Sequence, residues 1–172
     1  MPKPSVLLRG LNLATQGANI VGTLLIVGLV VIICTDVLGR NLFGAPLPGV
    51  PEMISLSIVA IVFLQVPQAL KANRLTRSDG IILNLHNSAP RVANAIEIIF
   101  DLLGFLVIAT ILYAHWPILM KAIERQEYVG SVGNFTMPTW PAKTMILIGA
   151  VLLALQFMSR VLQRLLKGNV DD

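Results

Sequence analysis

Charge is what this sequence has least of. Only 13% of its 172 residues are Asp, Glu, Lys or Arg, about half the share of an ordinary soluble domain. A globule of this length buries a sizeable core but still needs a polar surface, and this chain has too few charges to cover one. Its excess apolar surface therefore faces lipid. Cysteine is nearly absent: Cys34 stands alone, which excludes an intrachain disulfide and a cysteine-based metal site. It matches a lipoprotein acylation site poorly, because Ile33 stands before it where a small residue is wanted, and it is expected to be a packed core residue. Walker loops, HExxH, GxSxG and cysteine pairs are all missing, so nothing points to catalysis and the chain is expected not to be an enzyme. Repeats, low-complexity stretches and a separate soluble domain are missing too. The net charge of +4 does not indicate nucleic acid. The basic residues stand just beyond apolar runs, where they set membrane topology.

What the sequence does contain is four long apolar runs. The first lies between Arg9 and Asp36 and is densest over residues 20–34. It is longer than the apolar core of a signal peptide and is expected to remain attached. Within it, Ala14, Ala18 and Gly22 recur every four residues, a stripe along which another helix can approach closely. The second run lies between Glu52 and Lys71. Pro51 suits a first helical position and Glu52 the positive end of the helix dipole. Pro67 is expected to kink its far end, with Gln65 and Gln68 beside it to bond freed backbone or a neighbouring helix. The third run lies between Asp101 and Lys121, on a helix expected to start near Pro90 with Asn87 or Ser88 as cap. The fourth, between Lys143 and Arg160, has 16 uncharged residues, which at 1.5 Å per residue is about 24 Å and short of a ~30 Å hydrocarbon core. Starting that helix at Pro141 and letting Lys143 and Arg160 snorkel removes the shortfall. These runs predict an all-α integral membrane protein, one small subunit with spans at about 14–38, 52–71, 92–119 and 141–163. A short interfacial segment is expected within residues 71–89, between helices 2 and 3, where Ile81, Ile82, Leu83 and Leu85 follow Asp79 and Gly80.

Basic residues decide the orientation. Lys3, Arg9, Lys71, Arg74, Arg77, Arg91, Arg160, Arg164 and Lys167 fall on one side, against Arg40, Lys121, Arg125 and Lys143 on the other. The richer side is cytoplasmic by the positive-inside rule, which places both termini there and turns the loops 39–51 and 121–143 outward. Trp116 and Trp140 fall near run ends on that outer side, as interface aromatics do.

Three constellations are candidates for chemistry. His86 and His115 are the only histidines. They fall on opposite sides of the membrane, which argues against a haem held between helices. Glu97 and Asp101, four residues apart, raise the prospect of a proton or sodium relay, since acids inside a membrane are costly. Their place in the first turns of a helix favours a plain dipole role, with Arg91 and Arg74 or Arg77 as neutralising partners. Asp36 and Arg40 share one helix face. They either pair locally to end the first helix or, with Glu52, pin the Gly/Pro-rich loop to present a surface to a partner. Four helices with apolar interiors offer no polar path of their own, and a carrier of this size needs repeats, broken helices or a partner.

At this point the chain resembles a family, the small membrane subunit (DctQ type) of tripartite ATP-independent periplasmic (TRAP) transporters. The strongest match is DVLGRNLFGAPLPGVPE, residues 36–52, with Asp36-Val37, Arg40, Phe43, Pro46-Leu47-Pro48 and Glu52 in the family's places. FLQVPQALKANRLTRSDGIILNL (63–85) and MPTWPAKTMILIGAVLLALQ (137–156) are similar to the end of its second helix and the entry to its last. Asn41 and Gln65 depart from the residues common in the family, which leaves subfamily and substrate open. The resemblance implies a bacterial inner-membrane, multi-pass subunit of a sodium-driven, binding-protein-dependent transporter for carboxylate-type solutes. It implies three partners: the large membrane subunit, which the small one braces; a periplasmic solute-binding protein, which it helps dock; and membrane lipids. No cofactor is expected in this chain, with sodium expected on the large subunit. The loop-organising or partner-facing candidates are Asp36, Arg40, Phe43, Pro46, Pro48 and Glu52 in one loop, and Pro138, Trp140 and Pro141 in the other. The rival class is the membrane-anchor subunit of a redox complex, which the histidine placement disfavours. A self-sufficient small exporter would carry a membrane-central acid that these runs lack.

Overall fold

The computed structural model describes residues 6–74, 90–131 and 135–168. Four helices make the fold: α1 (Val6–Phe43), α2 (Val50–Lys71), α3 (Pro90–Glu124) and α4 (Trp140–Gly168). Each holds a stretch long and apolar enough to cross a membrane, as the all-α expectation requires. The helices overrun their apolar runs. At 38 and 35 residues, α1 and α3 are about 57 and 53 Å long at 1.5 Å per residue, well over a ~30 Å core. The expected interfacial segment lies, from residue 75 onward, outside the described residues, and with it Arg77, Asp79, His86, Asn87 and Ser88.

The helices are arranged as an open row rather than a closed bundle. α1 packs on α2, α2 on α4, and α4 on α3, with a smaller contact between α1 and α4. Of the most apolar window of each helix, 28% is buried in α2 and 33% in α4, but only 11% in α1 and 6% in α3. The inner pair is therefore held by protein and the outer pair presents most of its surface outward. Cys34 follows from this. It is exposed on α1, contrary to the packed position expected for it, because an edge helix has only one covered side.

Small residues set the spacing within the row. A Cβ on Gly149 of α4 would overlap the backbone carbonyl of Phe63 in α2, so the two backbones touch there. On Gly104 it would lie 2.7 Å from the Phe157 ring, which wedges α4 against α3. On Gly22 it would meet Gln65 Cγ at 2.9 Å. Ala18 and Gly22 thus lie in the α1–α2 seam, whereas Ala14 is exposed. Steps of four residues drift about 40° round a helix, and fully buried Thr15 takes the place the stripe assigned to Ala14.

Polar side chains on the outer surfaces are satisfied locally. Thr23, Thr35, Ser55, Thr110 and Thr144 each donate to the carbonyl one turn back, at 2.8–2.9 Å. Hydroxyls can therefore face hydrocarbon without an unmet donor. Between α3 and α4 the chain forms a two-stranded antiparallel hairpin, β1 (Tyr128–Ser131) and β2 (Phe135–Pro138). The sequence reading took this stretch as loop. Its Tyr, Val, Phe and Thr residues flanking Gly130 and Gly133 were the signal that could have found it.

The close approach at Gly149 gives a clean test. Gly149→Ala forces the two backbones apart and is expected to cost about 1–3 kcal/mol, the usual range for overpacking. The thermal midpoint of the purified protein in detergent should fall accordingly. Gly28→Ala, whose Cβ meets nothing within 4 Å, should leave it unchanged.

Candidate functional site

Asp36 is the organiser of one end of the molecule. It lies two turns before the end of α1 and is 7% exposed. Its Oδ2 accepts from Arg40 Nη2 at 3.0 Å, one turn further on. Its Oδ1 accepts the backbone N–H of Leu47, eleven residues away, at 2.8 Å. The chemistry of the loop explains why that donor is used. Pro46 and Pro48 have no N–H to give, so Leu47 carries the lone backbone donor between them. The local ion pair and the loop tether are therefore both present, and they share one carboxylate. Arg40 braces Asp36, while the bond to the loop is Asp36's own. Glu52 sits half-buried in the first turn of α2. Among the described residues no ion pair joins it to Arg40, so it does not complete the expected trio.

Two glycines let the chain turn this tightly. Gly44 (φ +63°) ends α1 and Gly49 (φ +81°) opens α2, both in left-handed backbone. Gly49 has a second duty, because the Phe135 ring of β2 lies where its Cβ would be. The α1–α2 loop and the hairpin therefore interlock, and the two loops singled out in the sequence meet at this contact. The sequence offered no signal for the contact, as Gly49 and Phe135 are far apart in the chain and no local period links them.

The hairpin is fastened from its other side. The backbone N–H and hydroxyl of buried Thr139 both donate to the Glu127 carbonyl, at 2.9 and 3.2 Å. Lys143 Nζ donates to Glu127 Oε2 at 2.6 Å. Lys143 thus reaches an acid in the loop outside its helix, and its neighbour His115 donates from Nε2 to the Lys143 carbonyl at 3.0 Å. The result is a rigid end with aromatic residues left open on it. Phe43 is 81% exposed, Tyr128 54% and Trp140 48%. Ile123, Gln126, Tyr128, Thr136, Pro138 and Trp140 line an open groove of about 800 Å³ there. Pro46 and Pro48 are exposed and Pro141 is half-buried.

The acids of α3 are the second constellation. Asp101, whose side chain is wholly buried, faces Arg160 (3.8 Å) and Arg164 (3.3 Å) of α4, and Arg164 also pairs with Glu97. Acids at i, i+4 on one helix meet arginines at i, i+4 on the next, and the four charges cancel. This corrects one expectation. The partners of the acids among the described residues are Arg160 and Arg164 rather than Arg74; Arg77 and the Arg91 side chain lie outside the described residues. One turn before Arg160 on α4, Gln156 donates to Thr15 of α1 at 2.9 Å, both buried. The interior is thus not wholly apolar. It holds a self-neutralised ionic latch joining α3 to α4 and a hydrogen bond joining α4 to α1.

Two measurements check these contacts. Arg164→Ala strips both acids of a partner, and breaking a buried ion pair from one side costs about 3–5 kcal/mol; a matching drop in thermal midpoint is expected, larger than for Arg125→Ala at the exposed end of α3. At the hairpin, the Lys143 hydrogen bond holds the Glu127 carboxyl below the usual carboxylate range, helped by the charges of Lys143, Arg125 and Lys121 and opposed by partial desolvation. Because the folded value lies below the unfolded one, the stabilisation is complete at neutral pH. It is lost as the pH falls from the ordinary carboxylate range of about 4–5 through the lower folded value. Trp140 fluorescence, followed in a Trp116→Phe background, should report an acid transition that Glu127→Gln removes.

A family model described as "Tripartite ATP-independent periplasmic transporters, DctQ component" matches residues 29–167, which takes in the Asp36 tether, the hairpin and the ionic latch. No curated protein and no solved structure matches the chain. With the match running from mid-α1 to the last turns of α4, the chain belongs to the DctQ component family of tripartite ATP-independent periplasmic transporters.

Proposed function

We propose that this chain is the bracing and docking subunit of a sodium-driven TRAP transporter for carboxylate-type solutes. It lies in the bacterial inner membrane with both termini in the cytoplasm. Its partners are the large membrane subunit, which binds sodium and solute, and a periplasmic solute-binding protein, which docks at the tethered end. No chemical reaction is assigned to it.

The observation that carries this proposal is the Asp36–Leu47 bond. It spends a buried carboxylate on ordering a surface loop, and the ordered loop locks onto the hairpin through Gly49 and Phe135. A charge withdrawn from water for a loop needs a reason in that loop's geometry. The exposed Phe43, Tyr128 and Trp140 beside it have the aromatic character of an interaction surface. The positive-inside count turns this end toward the periplasm, where a binding protein would meet it. The ionic latch fits the same role, since its acids are committed to arginines of the same chain and hold α3 and α4 as a stiff pair.

Reconstitution of the three-part system in liposomes tests the proposal. Asp36→Ala frees Leu47 and leaves Arg40 without its partner, so uptake should fall by about tenfold or more while the subunit still inserts and keeps its helical content. Arg40→Ala removes only the brace and should have a smaller effect in the same direction. Solute movement by this chain alone on a sodium gradient would refute the supporting role, and unchanged uptake in Asp36→Ala would remove the docking role.

A further inference from the structure

A polar crevice opens on the face of α2 turned toward α1 and the outside of the row. Asn19 of α1, Gln65 and Gln68 of α2, and Arg74 just beyond α2 line it, together with Val62, Val66, Ala69 and Ala72, around an open volume of about 480 Å³. Among the described residues, Gln68 Oε1 is buried and has no hydrogen-bond partner. A shielded, unmet acceptor is costly and marks a place where something is missing. Two further carboxamides and a cation beside it make the crevice polar within a lining that is otherwise Val and Ala.

Depth decides what is missing. Gln65 and Gln68 lie one to two turns inside the end of α2 at Lys71, on the bilayer side of Arg74. The hydrogen-bond donors of a phospholipid headgroup lie farther out than its phosphate, and the esters and acyl chains below it offer none. A lipid held by Arg74 would therefore bring no donor to Gln68. A membrane helix would, since Ser, Thr, Asn, Gln and Trp side chains cross-link helices at this depth. Among the described residues none supplies the donor, and its family works as one component of a larger transporter complex.

We infer that the Asn19–Gln65–Gln68–Arg74 crevice is where a transmembrane helix of the large subunit docks, donating a side-chain hydrogen bond to Gln68 Oε1. The inference rests on the bracing role proposed above and assigns it a face of the molecule. α2 thus divides its sides, with Gly149 of α4 against Phe63 on one and the partner helix on the other. Val62, Val66 and Ala69 give that helix an apolar seat, and the three carboxamides set its register.

Co-purification of the full-length chain with its co-expressed large subunit tests this. Gln68→Met keeps the volume and removes the acceptor. It should weaken association by about three- to twentyfold, the range that hydrogen bonds between membrane helices carry, without changing the thermal midpoint of the isolated chain. Val107→Met, on the exposed face of α3, is the control and should leave association intact. A photo-crosslinking residue at position 62 should give an adduct with the large subunit, and one at position 107 should not. Association unchanged by Gln68→Met, with no adduct from position 62, overturns the assignment of this face while leaving the bracing role standing. Failure of the wild-type chain to co-purify with the large subunit overturns the bracing role itself. An adduct at position 62 with a second copy of this chain, or with lipid alone, overturns the choice of occupant.

Discussion

A charge beside lipid must be cancelled within reach of its own side chain, and α4 is where this protein meets that constraint. Arg160 and Arg164 neutralise Asp101 and Glu97 of α3, Gln156 bonds Thr15 of α1, and Lys143 closes on Glu127 below the hairpin. Between these ends, Gly149 lets the backbone touch α2 at Phe63. One helix thus contacts each of the other three, and the row has an order because α4 occupies its interior. Apolar contact alone would not produce it. In lipid, Leu on Leu between helices gains little over Leu on an acyl chain, so specificity falls to close backbone approach and to polar bonds.

The same economy of polar groups shapes the tethered end. Asp36 could have been a surface residue paired with Arg40 and nothing more, an exposed pair of the kind that contributes a few tenths of a kcal/mol. Its burial and its second bond to Leu47 change its standing. It now ties a helix to a loop whose two prolines have removed the competing donors, and whose two glycines supply the left-handed corners. Phe135 then closes over Gly49. The surface at this end is ordered by one carboxylate, one backbone N–H and one ring.

The helices were legible in the sequence because hydrocarbon imposes a length and composition that few other structures share. The Asp36–Arg40 pair was legible because four residues make one helical turn. What could not be read was every contact between segments distant in the chain. Asp101 with Arg164, Thr15 with Gln156, Glu127 with Lys143 and Gly49 with Phe135 have no local period to betray them. Lys143 and Arg160 each had an acid within reach, and a charge-assisted bond to it is something that the snorkelling rule alone does not reveal. The row of two acids at i, i+4 against two arginines at i, i+4 was available as a pattern, but pairing it required knowing that α3 and α4 are neighbours.

The open row bears directly on the proposed role. A carrier that moved solute unaided would have to enclose a polar route between helices, and enclosure needs a bundle that closes. Here α1 and α3 stand at the edges, and the buried polar groups on α4 are consumed in holding the row together. Among the described residues, an unmet polar group lies on the side of α2 next to α1, and exposed aromatics lie at the tethered end. On the proposed reading those are features of a molecule whose surfaces complete another's, bonded to itself within the row and open along its edges. The physical reason for keeping such a subunit small and charge-poor is then plain. Each unpaired polar group added to its lipid-facing sides would favour self-association in the bilayer over the partners proposed for its crevice and its tethered end.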